Sequence, residues 1–482
     1  MPKRYEFQDY DPLFRTPGNR GGEGLVEEPW PVRGAEPEAS SQGESLFTNL
    51  SQPPTTESLP KPESTVRLIL KRGHVVSYAG LFLFTIVLYF RPYELFAVLS
   101  WMDKVAYWLA IGTIIIFLPS QLVLEGNLSA RPRVVGLVLL LTLAGLFSIP
   151  TAINPLEAWN EFNDVFIKAV LMFIVMINVV RTERRLMALI YVALAVTFVL
   201  SFNAIRDYQT ANFAVEGYRI KGLLGGMFGN PNDLALHFVT MTPIAITMAF
   251  ATRKLILKIL LIITAILIVA GNVVTYSRGG FLGLLVVAVV VAWKIGRKRR
   301  LLLAIVGPIV LTLFVLLTPG SYGIRLLSIF IPGLDPVGSA GSRQEILNRS
   351  IIVSLRNPIT GIGMGNFHIM SLHETVTHNA FTQVSAEMGF GALIVYLMFL
   401  TAPILWLRKL ERETSTESRA SFYYYLSIGL QASLIGYMVS AFFAAVAYQW
   451  YAYYLVGYGV CLVRIYQSKT SSDLNSLTRA QG

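Results

Sequence analysis

The chain has 482 residues, 54% of them hydrophobic and only 14% charged, with a formal net charge of +11. At a mean hydropathy of +0.55 it is too apolar for a soluble protein of this size, so the composition points to a polytopic membrane protein. In such a chain a basic balance is first a topology signal, not a nucleic-acid signal, and the single cysteine, Cys461, rules out an intrachain disulfide or a cysteine-based metal site.

Residues 1–68 are rich in Pro, Gly, Ser and Glu, as in Glu36-Pro37-Glu38-Ala39 and Gln52-Pro53-Pro54-Thr55. Such a segment buries too little apolar surface to offset its ordering entropy, and a disordered tail is expected there. The first long apolar run begins only after residue 74, so no N-terminal signal peptide is expected. From that point twelve stretches approach the roughly 20 apolar residues that a spanning helix needs. They lie near 75–91, 104–124, 134–150, 163–180, 186–205, 233–251, 255–274, 280–296, 301–318, 379–407, 422–442 and 445–466, with a C-terminal tail at 467–482.

Charge then orients them. Lys71-Arg72, Arg131 with Arg133, Arg181 with Arg184-Arg185, Arg253-Lys254, Arg297-Lys298-Arg299-Arg300 and Arg408-Lys409 all fall in alternate loops on one side. By the positive-inside rule that side is cytoplasmic, and both termini fall there too. The expected fold is all-α: a helical membrane protein with about 12 transmembrane helices and one large periplasmic loop, 319–378, containing short helices. Apolar Ile346, Ile351, Ile352 and Leu355 recur there at helical spacing and are expected to pack on the bundle.

The outer loops carry the residues with chemistry. Arg278 lies in the tight hairpin Thr275-Tyr276-Ser277-Arg278-Gly279-Gly280, on the side where basic residues are depleted. Either it snorkels at a helix end or its planar fork of donors meets phosphate oxygens; the two glycines are expected to permit the tight turn. Arg219 and Lys221 precede Gly222, Gly225, Gly226 and Gly229, a weak anion loop without a Walker pattern. Asn230-Pro231-Asn232-Asp233 reads as a turn into a helix N-cap. In the long loop Arg343 opens a helix, and Pro358 to Asn366 is a glycine-rich turn lacking the dinucleotide spacing. His368, His373 and His378 are five apart, not a helical metal pair.

The chain is organised around Thr377-His378-Asn379 and the helix that follows. Asn379, Gln383 and Glu387 recur every fourth residue and share one face of it. His378 and Asn379 either cap that helix at the interface or belong to a site, since ionisable groups in apolar spans usually face the bundle interior or a cavity. Outer-face cations suit an anionic leaving group such as a diphosphate, with His378 as general base. No cofactor or metal is called for.

Arg219 with Gly222 and Asn230-Pro231-Asn232, Ser277-Arg278-Gly279, Arg343, Pro358 to Gly365, and His378-Asn379 with Glu387 and Gly389 together resemble the O-antigen ligase/polymerase superfamily over residues 75–466. The resemblance implies a metal-independent glycosyltransferase of the bacterial inner membrane that uses an undecaprenyl-diphosphate-linked glycan. It implies lipid A-core, a growing glycan or a protein hydroxyl as acceptor. It casts His378 as the base and Arg278 and Arg219 as holders of the donor diphosphate, with Arg343 and Glu387 at recurrent positions. His378 and Arg278 are thus the expected catalytic pair; Lys221 and Arg343 are expected beside Arg219 at the diphosphate, with Asn379 and Glu387 in support. The alternatives are a polysaccharide polymerase and, in another class, a lipid-linked sugar transporter, which would favour mid-membrane charges and discontinuous helices in paired repeats.

Overall fold

Inside a bilayer a lone apolar segment satisfies its backbone only by hydrogen bonding along itself, so the long apolar runs become helices. The computed structural model describes residues 65–481 apart from 103, 128, 131, 216–218, 221, 226–227, 297–338, 372–374 and 416–420. In chain order the long helices are α1 (Thr65–Phe90), α2 (Val105–Glu125), α3 (Arg133–Ser148), α4 (Pro155–Val179), α5 (Glu183–Gln209), α6 (Pro231–Ala251), α7 (Leu255–Val274) and α8 (Arg278–Ile295). They continue with α9 (Ser339–Arg356), α10 (Ala380–Thr414), α11 (Ser421–Ala441) and α12 (Trp450–Gln481). Between α5 and α6 a short antiparallel pair forms, β1 (Phe213–Val215) with β2 (Arg219–Ile220).

Helices stand at each expected span that falls on described residues; the ninth, 301–318, lies outside them. Eight helices among the described residues are long and apolar enough to cross a membrane, by length and composition, so they do not by themselves reach twelve. The last helix does not stop at residue 466 but runs on to Gln481, through the expected tail.

The helix at the centre is α11, which packs against α6, α8, α10 and α12. Close approach is what its glycines provide: a Cβ on Gly436 would lie 2.6 Å from Val287, and one on Gly283 of α8 2.1 Å from Ser440 Oγ. Small residues at such contacts let helices gain van der Waals packing where lipid offers no hydrophobic drive. Its neighbour α6 is buried along nearly its whole length. By contrast α7 turns Leu255, Ile256, Ile259, Leu260, Ile263 and Ile266 outward, as a helix does whose outer solvent is hydrocarbon.

Two local features position the end of the bundle at which α8 and α10 begin. The turn between α7 and α8 is made by Tyr276, whose φ of 55° is left-handed. Gly279 and Gly280 are not the turn residues that the sequence suggested; they lie in the first turn of α8, where added Cβ atoms would come within 2.7 Å of Phe443 and of Ala235. Similarly, α10 is not one continuous helix: Gly389 has φ 85° and ψ 172° and breaks it.

The broken ends of α10 are bonded by the glycine-rich turn before it. The Ile362 and Gly363 N–H groups donate to the Ala386 and Glu387 carbonyls at 2.9 and 3.0 Å, and Phe390 N–H donates to the Pro358 carbonyl at 2.9 Å. These are the groups that a helix break orphans. Gly361, Gly363 and Gly365 of that turn all have positive φ. The helix α9 forms where the sequence places one, but its register differs from expectation. Ile346, Ser350, Val353 and Ser354 are buried, whereas Ile351, Ile352 and Leu355 are exposed.

Candidate functional site

The N-termini of α6, α8 and α10 come together around the turn that joins α11 to α12. Ser440 Oγ donates to the Gly279 carbonyl at 3.3 Å, on the α8 side of that turn. On its α10 side Ala447 N–H donates to Gln383 Oε1 at 3.2 Å. Each N-terminus is capped by a side chain that its sequence supplies: Asn230 accepts from Asn232 N–H, Ser277 from Gly280 N–H, and Asn379 from Phe381 and Thr382 N–H. Helix N-termini carry partial positive charge, so their convergence makes a field suited to an anion.

Arg278 is the first residue of α8 and is 9% exposed. A cation at the positive end of a helix opposes the dipole by on the order of 0.3–1 kcal/mol, a cost that a bound anion reverses. Arg219 is more deeply placed, at 2% exposure. Its Nε donates to the Thr275 carbonyl at 3.0 Å and its Nη2 to Asn232 Oδ1 at 2.9 Å. Ser277 Oγ donates to that same Asn232 oxygen at 3.1 Å. Arg219 therefore ties β2, the start of α6 and the α7–α8 turn into one unit, which sets where Arg278 stands. Lys221 lies outside the described residues.

His378 precedes the cap of α10, half-buried and with a left-handed φ of 50°. Residues held in that region outside glycine gather at functional sites, where surrounding contacts sustain the strain. Burial first, and the Arg343 guanidinium second, push the imidazole pKa down to about 4. At neutral pH the ring is therefore uncharged and able to accept a proton. Arg343, half-buried on α9, is thus brought beside His378 although the two are far apart in sequence.

Asn379 is 2% exposed, and its Nδ2 has no partner among the described residues. It is a buried donor on the residue next to His378. The stripe expected along α10 does face inward, with different duties. Gln383 holds the α11–α12 turn, while Glu387 holds the glycine-rich turn. Gly365 N–H and Tyr448 OH donate to Glu387 Oε2 at 2.9 and 2.8 Å, and Phe367 N–H donates to Oε1 at 3.4 Å. His368 serves the same turn, its ring nitrogens 2.9 Å from the Gly365 carbonyl oxygen and 3.3 Å from Glu157 Oε1. Among the described residues no three His, Cys, Asp or Glu side chains gather as metal ligands, and His373 lies outside them.

Some members of this site were not singled out from the sequence. Asp233, half-buried in the first turn of α6, lies close enough to Tyr437 and Tyr451 to interact with them electrostatically. Its only sequence signal was its place in the Asn-Pro-Asn-Asp turn. Tyr448 gave none, being one tyrosine in an aromatic run.

Residues 260–397 match the family model described as O-antigen ligase. No curated protein matches the chain. The matched stretch runs from within α7 into α10 and includes Arg278, Arg343, His378, Asn379 and Glu387. Its apolar helices fit a multi-pass bacterial membrane protein. The match at 260–397 supports a place for the chain in the O-antigen ligase superfamily and suggests glycan transfer of the ligase or polymerase type.

Proposed function

We propose that the protein transfers a glycan from an undecaprenyl-diphosphate-linked donor to an acceptor hydroxyl, as a ligase at the periplasmic face of the bacterial inner membrane. One observation carries this reading. The starts of α8 and α10, bearing Arg278 and His378, flank a single turn, so an anion holder and a neutral base share one end of the bundle. The donor diphosphate lies against the N-terminus of α8 and Arg278, with Arg343 reaching it from α9. Arg219 acts through the turn that it braces.

The acceptor oxygen forms a bond to the anomeric carbon as the bond from that carbon to the diphosphate oxygen breaks. The electron pair leaves on the diphosphate, where the cations stabilise it, and the hydroxyl proton passes to His378. A single displacement of this kind inverts the anomeric centre. The Arg343 cation that lowers the His378 pKa is the one that an arriving diphosphate neutralises. Donor binding therefore raises the basicity of His378 at the moment it is needed.

The transporter reading gains one feature, the broken helix α10, but two of the carbonyls at the break are not open to an ion. Its Ala386 and Glu387 carbonyls are taken by the glycine-rich turn. The test is in vitro transfer by the purified full-length protein, supplied with undecaprenyl-diphosphate glycan and with lipid A-core, lipid-linked glycan or protein acceptors, with and without chelator. His378→Ala and Arg278→Ala, each shown to be folded, should lose transfer. Wild-type rates in both would refute the site. The acceptor that works separates ligase from polymerase, and movement of lipid-linked sugar across proteoliposomes without transfer would install the transporter instead.

A further inference from the structure

A cavity of about 1060 Å³ opens at the opposite end of the bundle, between α2, α3, α4, α10 and α12. From His378 it lies roughly 40 Å away along α10, at about 1.5 Å per residue, and glycan transfer has no use for it. Its inner wall is polar and buried. Gln121 is 2% exposed, donates through Nε2 to Asn178 Oδ1 at 3.4 Å, and keeps Oε1 without a partner among the described residues. A buried acceptor left unmet is costly, so an occupant that brings a donor is favoured there.

The rim is cationic. Arg133 is the first residue of α3, whose N-cap Pro132 supplies no side-chain cap, and Arg133 makes no ion pair among the described residues. Lys409 faces it from α10 with only a loose 3.8 Å pairing to Glu413. Deeper in, Arg181 is tied to Glu125 at 2.7 Å. The rest of the wall mixes polar residues such as Ser129, Arg464 and Gln467 with an apolar strip that includes Trp406, Leu410 and Val463.

We propose that this cavity binds an anionic phosphodiester bearing a free hydroxyl, supplied as the headgroup of an acidic glycerophospholipid such as phosphatidylglycerol. The phosphate meets Arg133, Lys409 and the uncapped amides of α3. The hydroxyl donates to Gln121 Oε1, and the acyl chains leave along Trp406, Leu410 and Val463. Basic pockets between helices on the cytoplasmic side suit such heads. Only the leaflet that supplies the lipid rests on the orientation proposed above.

The full-length protein, delipidated in mild detergent, would be titrated with short-chain phosphatidylglycerol, short-chain phosphatidylcholine and glycerol phosphate, with bound mass read by native mass spectrometry. Phosphatidylglycerol should bind roughly tenfold tighter than phosphatidylcholine. The R133Q/K409Q double variant, altered only at exposed side chains, should lose that preference, and Gln121→Leu should weaken phosphatidylglycerol alone. Equal binding of the two lipids, or a preference that survives in the double variant, overturns the site. Glycerol phosphate binding as tightly as the lipid overturns the lipid assignment in favour of a soluble phosphoester. Since transfer activity is not read, failure of the glycan-transfer reading would leave this result standing.

Discussion

His378 and Glu387 sit nine residues apart in the chain and face opposite tests. His378 is held neutral, with its pKa near 4 from burial and then from Arg343. A base must be unprotonated, so kcat/KM for transfer should hold level from neutral pH down through the usual imidazole range and fall only near that value. Arg343→Gln removes the cation that disfavours the imidazolium, so the acid limb should move to higher pH. It should stop short of 6.5 because burial, the larger cause, persists; a pH–rate profile of the two proteins reads this directly. Glu387→Ala instead strands Gly365 N–H, Phe367 N–H and Tyr448 OH in a buried site, and should cost roughly 2–5 kcal/mol in stability. Thermal unfolding should therefore separate it from His378→Ala, which loses activity at a near-normal midpoint. The sequence made Arg278 and His378 visible because ionisable groups stand out at the mouths of apolar runs. It could not show that Arg219 is buried as a brace, since its partners Thr275 and Asn232 lie 56 and 13 residues away.

Among the elements, α10 and the turn before it form one device. Gly389 holds φ 85°, and a Cβ there would lie 2.2 Å from the Ile359 carbonyl oxygen. Gly389→Ala should accordingly destabilise by roughly 2–4 kcal/mol. Two residues on, Gly391 has nothing within 4 Å of an added Cβ, so Gly391→Ala should be neutral or stabilise by up to about 1 kcal/mol through helix propensity. Denaturation of the two variants side by side checks both. Periodicity placed α10 correctly but ran it straight through Gly389, because one glycine in an apolar run reads as tolerated. The glycine-rich turn was equally visible, yet nothing local says that its N–H groups belong to the Ala386 and Glu387 carbonyls. The register of α9 was misjudged for a related reason: Ser354 faces inward to meet Ser385, oxygen to oxygen at 2.8 Å. A buried hydroxyl pair is silent in a pattern that counts only apolar residues.

At the scale of the molecule, the positioning of the basic loops predicts which end faces which compartment, and the chain supplies its own background for testing it. Cys461 is fully buried, so thiol labelling should report only introduced cysteines. Val376→Cys, at a position 51% exposed beside His378, should react with a membrane-impermeant maleimide applied to cells with an opened outer membrane. Lys469→Cys, on the far end of α12, should react only after the inner membrane is permeabilised. The reverse pattern would put the site in the cytoplasm. The end that carries His378 also draws together distant parts of the chain. Asn366 bonds the backbone of Asn154, and α10 is fastened through Gln383 to Ala447 and through Glu387 to Tyr448. Those last two partners belong to the turn before α12 and are translated after the residues that they fasten. A nascent copy thus has its histidine and arginines made well before the bonds that hold α10 in register can form. On the proposed function such a protein stays idle until the α11–α12 turn has been made, because the site is assembled only then.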